Sequence, residues 1–157
     1  MNLLVASSKD ARQLAVHHRK MFEEIWIAKG LTLERSKADK LEKAYQEKLE
    51  KQIPEGTCIA WKIEKKGEMI ASGAVSIIPL VPVPFDLDLR VAYLHSIYTE
   101  KGHRRQHCAR QIVDTAIQYC KANNIKRIRL NASDAGRSIY EKTGFATESD
   151  AMRLFVE

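Results

Sequence analysis

Apolar positions in this chain recur first at helical spacing and then in short β-rich runs, and the changes of period divide it into elements. Leu3 to Ala6 is a brief apolar run, read as a first strand. Ser7 or Ser8 then offers a hydroxyl to cap a helix, and Asp10 follows where the positive helix end favours an acid. Leu14, His18, Met21, Phe22, Ile25 and Trp26 recur at helical spacing, with Gly30 as the stop. His17 and His18 are read as lying at the surface edge of this helix. A second helix is predicted from Leu33 to Gln52, where Ala38, Leu41, Tyr45 and Leu49 form a narrow stripe on a charged segment that Pro54 ends.

The period then changes. Thr57 to Glu64 and Met69 to Ile78 are rich in apolar and β-branched residues and flank Lys65-Lys66-Gly67-Glu68, a good hairpin turn. Pro79 to Asp86 carries too much proline for a central strand or a helix and reads as a stiff loop. Val91 to Tyr98 is another strand, followed by a basic turn, Thr99 to Gln106. Cys108, Ala109, Ile112, Val113, Ala116, Ile117 and Cys120 then make a continuous helical stripe. Lys126 to Leu130 is read as a strand, Asp134 to Lys142 as a short helix stopped at Gly144, and Ala151 to Val156 as a closing strand. The order is β-α-α-β-β-β-α-β-α-β: an antiparallel meander joined to a βαβ unit, hence an α/β fold with a mixed sheet.

A length of 157 residues suits one domain over 1–157, and 45% hydrophobic with 29% charged residues is ordinary for a soluble protein. Trp26 and Trp61 are read as core. Cys58, Cys108 and Cys120 contain no Cys-x-x-Cys pair, so free buried thiols in a reducing compartment are expected. No His, Cys, Asp and Glu cluster has metal-binding spacing, and no metal is expected. The apolar N-terminal run is too short for a signal peptide, no segment approaches the ~20 apolar residues of a membrane span, and a cytoplasmic location follows as the expectation. The net charge of +6 is compatible with nucleic acid, an anionic membrane or a phosphorylated ligand.

The position of that charge is more informative. The basic turn feeds into a helix N-terminus, which presents unpaired N–H groups and a partial positive charge. Lys101, Arg104, Arg105 and Arg110 gather there, making an anion site suited to a phosphorylated cofactor.

His103-Arg104-Arg105-Gln106-His107-Cys108-Ala109-Arg110-Gln111-Ile112-Val113 resembles the coenzyme-A pyrophosphate loop of the GNAT N-acetyltransferases: Gln or Arg, two residues, Gly, one residue, then Gly or Ala. Arg104 takes the first position and Ala109 the last, while His107 replaces the first glycine. Tyr93 to Thr99 is similar to the family's bulged central strand, Tyr140-Glu141-Lys142-Thr143-Gly144-Phe145 to its second hallmark, and Met152-Arg153-Leu154 to its last strand. The likeness covers Tyr93 to Leu154 closely, and the first half in element order.

The resemblance implies a splayed central strand, acetyl-coenzyme A as donor and coenzyme A as product. Ile97, Tyr98 and Thr99 would contact the pantetheine arm, with Asn131 reaching it from the next strand. Arg104, Arg105, Gln106, His107, Cys108 and Ala109 would hold the pyrophosphate. Histidine at 107 sets a Cβ where glycine would let the backbone approach the phosphates. An amine would attack directly, with Tyr140 protonating the leaving thiolate. His95 is the candidate base, with Ser96 and Glu100 as alternatives acting through water. Strand alternation sets His95 and Ser96 on opposite faces. Residues 1–90 would shape the acceptor side and 91–157 bind the cofactor. The partner is a small-molecule or peptide amine, with neither nucleic acid nor membrane, and the resemblance admits a homodimer. Two other readings stand beside this one: a non-catalytic acyl-coenzyme-A sensor, and a basic nucleic-acid-binding protein suggested by Lys126-Arg127-Ile128-Arg129.

Overall fold

A computed structural model describes residues Met1–Glu157. Strands β1 (Asn2–Val5), β2 (Cys58–Lys65), β3 (Glu68–Pro79), β4 (Arg90–Thr99) and β5 (Ile128–Arg129) form one sheet in sequence order. The first four pair antiparallel, and β4 pairs parallel with β5, giving the meander joined to a βαβ unit. Helices α1 (Ala11–Ala28) and α2 (Arg35–Glu55) cover one face of the sheet. Helix α3 (Cys108–Ala122) covers the other, with the short α4 (Arg137–Lys142) beside it.

Local chemistry explains most of the boundaries. Ser7 and Asp10 close a capping box around a 3₁₀ turn, Ser8–Asp10, that leads into α1. The β2–β3 turn sets both Lys66 (φ 52°) and Gly67 (φ 79°) in the left-handed region, as a type I′ hairpin requires. Helix α2 runs past Pro54 to Glu55 rather than stopping before it. A proline in the last turn removes only one N–H, and Gly56 at φ 78° makes the stop, its N–H reaching back to the last turn. The α1–α2 side of the sheet buries Ala6, Leu14, Tyr45, Leu49, Cys58 and Ala74. The α3 side buries Trp61, Val75, Leu94, Val113 and Ala116, whereas Trp26 is half-exposed. All three cysteines are free and buried.

The proline-rich loop is held rigidly. Buried Asp86 pairs with Arg127 at 2.8 Å, and the same guanidinium donates to the carbonyls of Val81 and Asp88 at 2.9 Å each. No helix is long and apolar enough to cross a membrane.

The C-terminal third departs from expectation in three places. β5 is two residues long, not five, and α4 begins at Arg137 after a turn. The expected strand over Ala151–Val156 does not form: Met152, Leu154, Phe155 and Val156 are 78–98% exposed. The reason lies in β5. After its pairs Ala92↔Ile128 and Tyr93↔Arg129 the chain leaves the sheet, so it offers only a minimal edge for a further strand.

Candidate active site

The early departure of β5 positions the site. Beyond Tyr93 the outer edge of β4 has no β5 partner, so the two strands splay along Leu94–Thr99. Within that stretch β4 also bulges. Ser72 faces Tyr98 but Ala74 faces His95, so β4 carries one residue more than β3, and Ser96 takes φ 60° to accommodate it. Opposite the bulge lies Gly73. A Cβ there would come within 2.4 Å of Ile97 Cδ1 and 2.7 Å of Ile112 Cγ2, so only glycine lets the kinked strand and α3 meet at this depth.

The bulge overturns strict alternation. His95 and Ser96 face the same side, with His95 Nδ1 and Ser96 Oγ 2.8 Å apart. Ser96 Oγ is also 2.7 Å from His18 Nδ1, and His95 Nε2 is 2.7 Å from Ser76 Oγ. Tyr45 stacks on His18 with ring centroids 3.9 Å apart. Burial pushes the His95 imidazole down to about 3, with Lys48 and His18 adding to the effect, and burial alone pushes His18 down to about 4. Both rings are neutral at neutral pH.

His17 and His18 thus face the sheet, not the surface edge. His17 is fully buried, its Nδ1 lying 2.7 Å from Ser72 Oγ and its Nε2 3.3 Å from Glu100 Oε1. Helical spacing from Leu14 could have found His18, and the sheet-facing wedge is wide enough to include His17. The serines Ser72 and Ser76 and the ring of Tyr45 carried no sequence signal beyond their strand and helix positions. Glu100 is bound by Lys20 at 2.8 Å. Burial opposes ionisation, yet Lys20 and His17 hold its carboxyl below the ordinary value.

Tyr140 lies on α4, with its ring edge-on to Phe145. Its hydroxyl has no hydrogen-bond partner in the fold, and burial, with Tyr93 nearby, raises its pKa. Asn131, just past β5, donates from Nδ2 to Tyr93 Oη at 3.0 Å. Tyr93 stacks over His95 at 5.7 Å. Tyr93 therefore links the expected pantetheine contact to the expected base; sequence reasoning assigned it no role.

The basic loop runs from a 3₁₀ turn, Lys101–His103, into α3. Arg105 (φ 65°) and His107 (φ 63°) are both left-handed, and His107 occupies the N-cap position without a side-chain cap. The amides of Cys108, Ala109 and Arg110 precede the first intrahelical donor, Gln111 N–H, and have no partner within the helix. Lys101 and Arg105 are exposed and make no ion pair, whereas Arg110 pairs with Asp114. Arg104 is committed elsewhere: it donates to the Thr99 carbonyl at 2.9 Å, pairs with Glu24 at 2.8 Å and lies over the Tyr98 ring. Its side chain braces the loop against β4 and α1. A charged hollow of about 660 Å³ lies between the β2–β3 hairpin and the start of the loop at Gly102 and His103, and Lys62 and Lys20 in it are already paired with Asp10, Glu64 and Glu100.

Known proteins share this fold. The sequence profile of the acetyltransferase (GNAT) family matches residues 18–145. Among solved structures, a predicted acetyltransferase with acetyl-CoA from Clostridium acetobutylicum is 24% identical, with TM-score 0.83, covering 98% of this chain and 95% of that one. A GCN5-related N-acetyltransferase from Ralstonia eutropha is 17% identical, with TM-score 0.87, covering 98% and 97%. A ribosomal-protein-alanine N-acetyltransferase from Brucella melitensis is 16% identical, with TM-score 0.64, covering 100% and 99%. At these identities the structures establish a common fold. Comparison with curated proteins gives no match.

Proposed function

Because the chain belongs to the GNAT acetyltransferase family, we propose that it moves an acetyl group from acetyl-coenzyme A to a primary amine by direct attack, releasing coenzyme A. One observation carries this reading: the unpaired edge of β4 leads straight to the open N-terminus of α3. An extended arm can hydrogen-bond to such an edge while a pyrophosphate meets the free amides at its end.

In this reading the backbone of Ile97, Tyr98 and Thr99 binds the pantetheine arm, and Asn131 reaches it across the splay. The amides from Arg104 to Ala109 hold the pyrophosphate, with Lys101 and Arg105 supplying charge. Acetyl-coenzyme A, when bound, supplies an activated thioester. Tyr140 holds a proton at Oη and gives it to the departing sulfur; its raised pKa keeps that proton in place at neutral pH. The amine's proton passes into the histidine–serine cluster centred on the β4 bulge, to which His95 and Ser96 belong. Glu100 is the alternative, its carboxylate held in the ionised form by the Lys20 ammonium. α1, α2 and the rigid 79–89 loop shape the acceptor side, and residues 91–157 the cofactor side, of one domain spanning 1–157.

Calorimetric titration with acetyl-coenzyme A, with the dephospho analogue as control, tests the donor site, and thiol release across an amine panel tests transfer. Saturable binding that weakens on loss of phosphate, followed by thiol release, is expected. Binding without thiol release for any amine would favour a sensor of the same fold. No binding at millimolar donor would overturn the reading.

A further inference from the structure

Both nitrogens of His95 are engaged inside the fold, Nε2 with Ser76 and Nδ1 with Ser96 and, at 3.5 Å, with the Tyr45 hydroxyl. The cluster nonetheless has one open imidazole nitrogen, His18 Nε2. His18 uses Nδ1 toward Ser96, while its Nε2 has no partner and is not sealed from solvent. The ring is held firmly, stacked on Tyr45 and edge-on to Phe22 with centroids 5.1 Å apart.

The hydrogens of this chain of groups can be ordered. Ser96 Oγ touches two Nδ1 atoms but has one hydrogen, so it donates to at most one ring and accepts from at least one. With the Ser96 hydrogen donated to one of these nitrogens, the two neutral rings hold opposite tautomers. If His95 Nδ1 carries the hydrogen, His18 carries its own on Nε2 and has no lone pair to offer there. If His18 Nδ1 carries it, every step runs one way: His18 Nδ1–H donates to Ser96, Ser96 to His95 Nδ1, and His95 Nε2–H to Ser76. His18 Nε2 is then a bare lone pair, and Ser96, His95 and Ser76 form a polar chain behind it.

We propose that His18, on α1, is a catalytic base of this site: its Nε2 takes the proton from the acceptor amine, with the Ser96–His95–Ser76 chain in the ordering that leaves Nε2 free. The proposal rests on the acetyl-transfer reading. As the amine nitrogen forms its bond to the acetyl carbon, its N–H bond breaks and the proton passes to Nε2; the thioester's C–S bond breaks and the sulfur takes a proton from Tyr140. His18 then returns its proton to solvent through the same nitrogen. His95 is a positioning residue, acting through Ser96.

Two measurements test this. In the wild-type protein, ¹⁵N-resolved histidine spectra are expected to show His18 protonated at Nδ1 and His95 at Nε2; His18 protonated at Nε2 overturns the proposal whatever the variants do. In kinetics, His18→Ala is expected to lower kcat by about 100-fold, the range of a lost general base, with the KM for acetyl-coenzyme A within about twofold, and added imidazole is expected to restore turnover. A folded His18→Ala protein with unchanged kcat, or one that imidazole does not rescue, overturns it. Wild-type protein that acetylates no amine overturns the underlying reading as well, so the two failures are told apart.

Discussion

Replacing Gly73 with alanine is the sharpest mechanical test of the kinked strand. The new Cβ would lie 2.4 Å from Ile97 Cδ1 and 2.7 Å from Ile112 Cγ2, both inside van der Waals contact. Ile112 is fully buried, so it has little room to withdraw, and relief must come from Ile97 or from the strand itself. Overpacking of this kind costs ~1–3 kcal/mol, which for a domain of this size is a fall in Tm of about 2–12 °C. Ile97→Val removes the atom at closest approach and by itself costs ~0.5–1.5 kcal/mol. The double variant should therefore be more stable than the two single losses added together, with a coupling of at least ~0.5 kcal/mol. Urea unfolding of the four proteins measures it. Because Ile97 stands on the proposed pantetheine segment, the KM for acetyl-coenzyme A should rise in Gly73→Ala and partly recover in the double variant. A Gly73→Ala protein within ~0.5 kcal/mol of wild type, or strictly additive losses, would refute the packing argument.

The other expectations concern chemistry and charge. Tyr140→Phe should reduce kcat by ~10²-fold or more while leaving acetyl-coenzyme A binding by calorimetry within about twofold; an unchanged kcat removes Tyr140 from the mechanism. His107→Gly relieves a left-handed non-glycine residue, worth ~1 kcal/mol, but gives back much of that through the freer unfolded chain, so stability should change little. The same change clears a Cβ and a ring from the pyrophosphate approach, and calorimetry should show acetyl-coenzyme A binding more tightly; weaker binding would mean that the imidazole is itself a phosphate donor. Burial holds His17 and His18 at about 4 and His95 at about 3, whereas the unfolded chain takes up these protons near pH 6.5. The unfolded state thus binds more protons between those limits, so stability is complete above about pH 6.5 and declines as pH falls toward 4. The slope approaches ~1.4 kcal/mol per pH unit per histidine. Urea titrations from pH 7.5 to 4.5 check this, and a flat profile would refute burial of neutral rings.

Most of the fold was legible in the residues. Capping at Ser7, the Lys66-Gly67 turn and the α3 stripe from Cys108 to Cys120 are local, and local chemistry decides them. The likeness of residues 93–154 to one family was equally legible, because a helix start and its basic loop lie within a few residues of one another. Tertiary structure decided the rest. The family likeness implies a bulge in Tyr93–Thr99, but two-residue periodicity cannot place it, since the extra residue at Ser96 is set where Gly73, Ile97 and Ile112 meet across the sheet. The same bulge turned His95 and Ser96 to one side. Apolar content suggested a strand over 151–156, but a strand needs a neighbouring edge, and β5 ends after two residues. The pairing of His18 with Ser96, 78 positions apart, existed nowhere in the sequence. Helical period sets which face of α1 a histidine occupies; only the packing of α1 on the bulged strand sets which hydroxyl it meets and which nitrogen it leaves open.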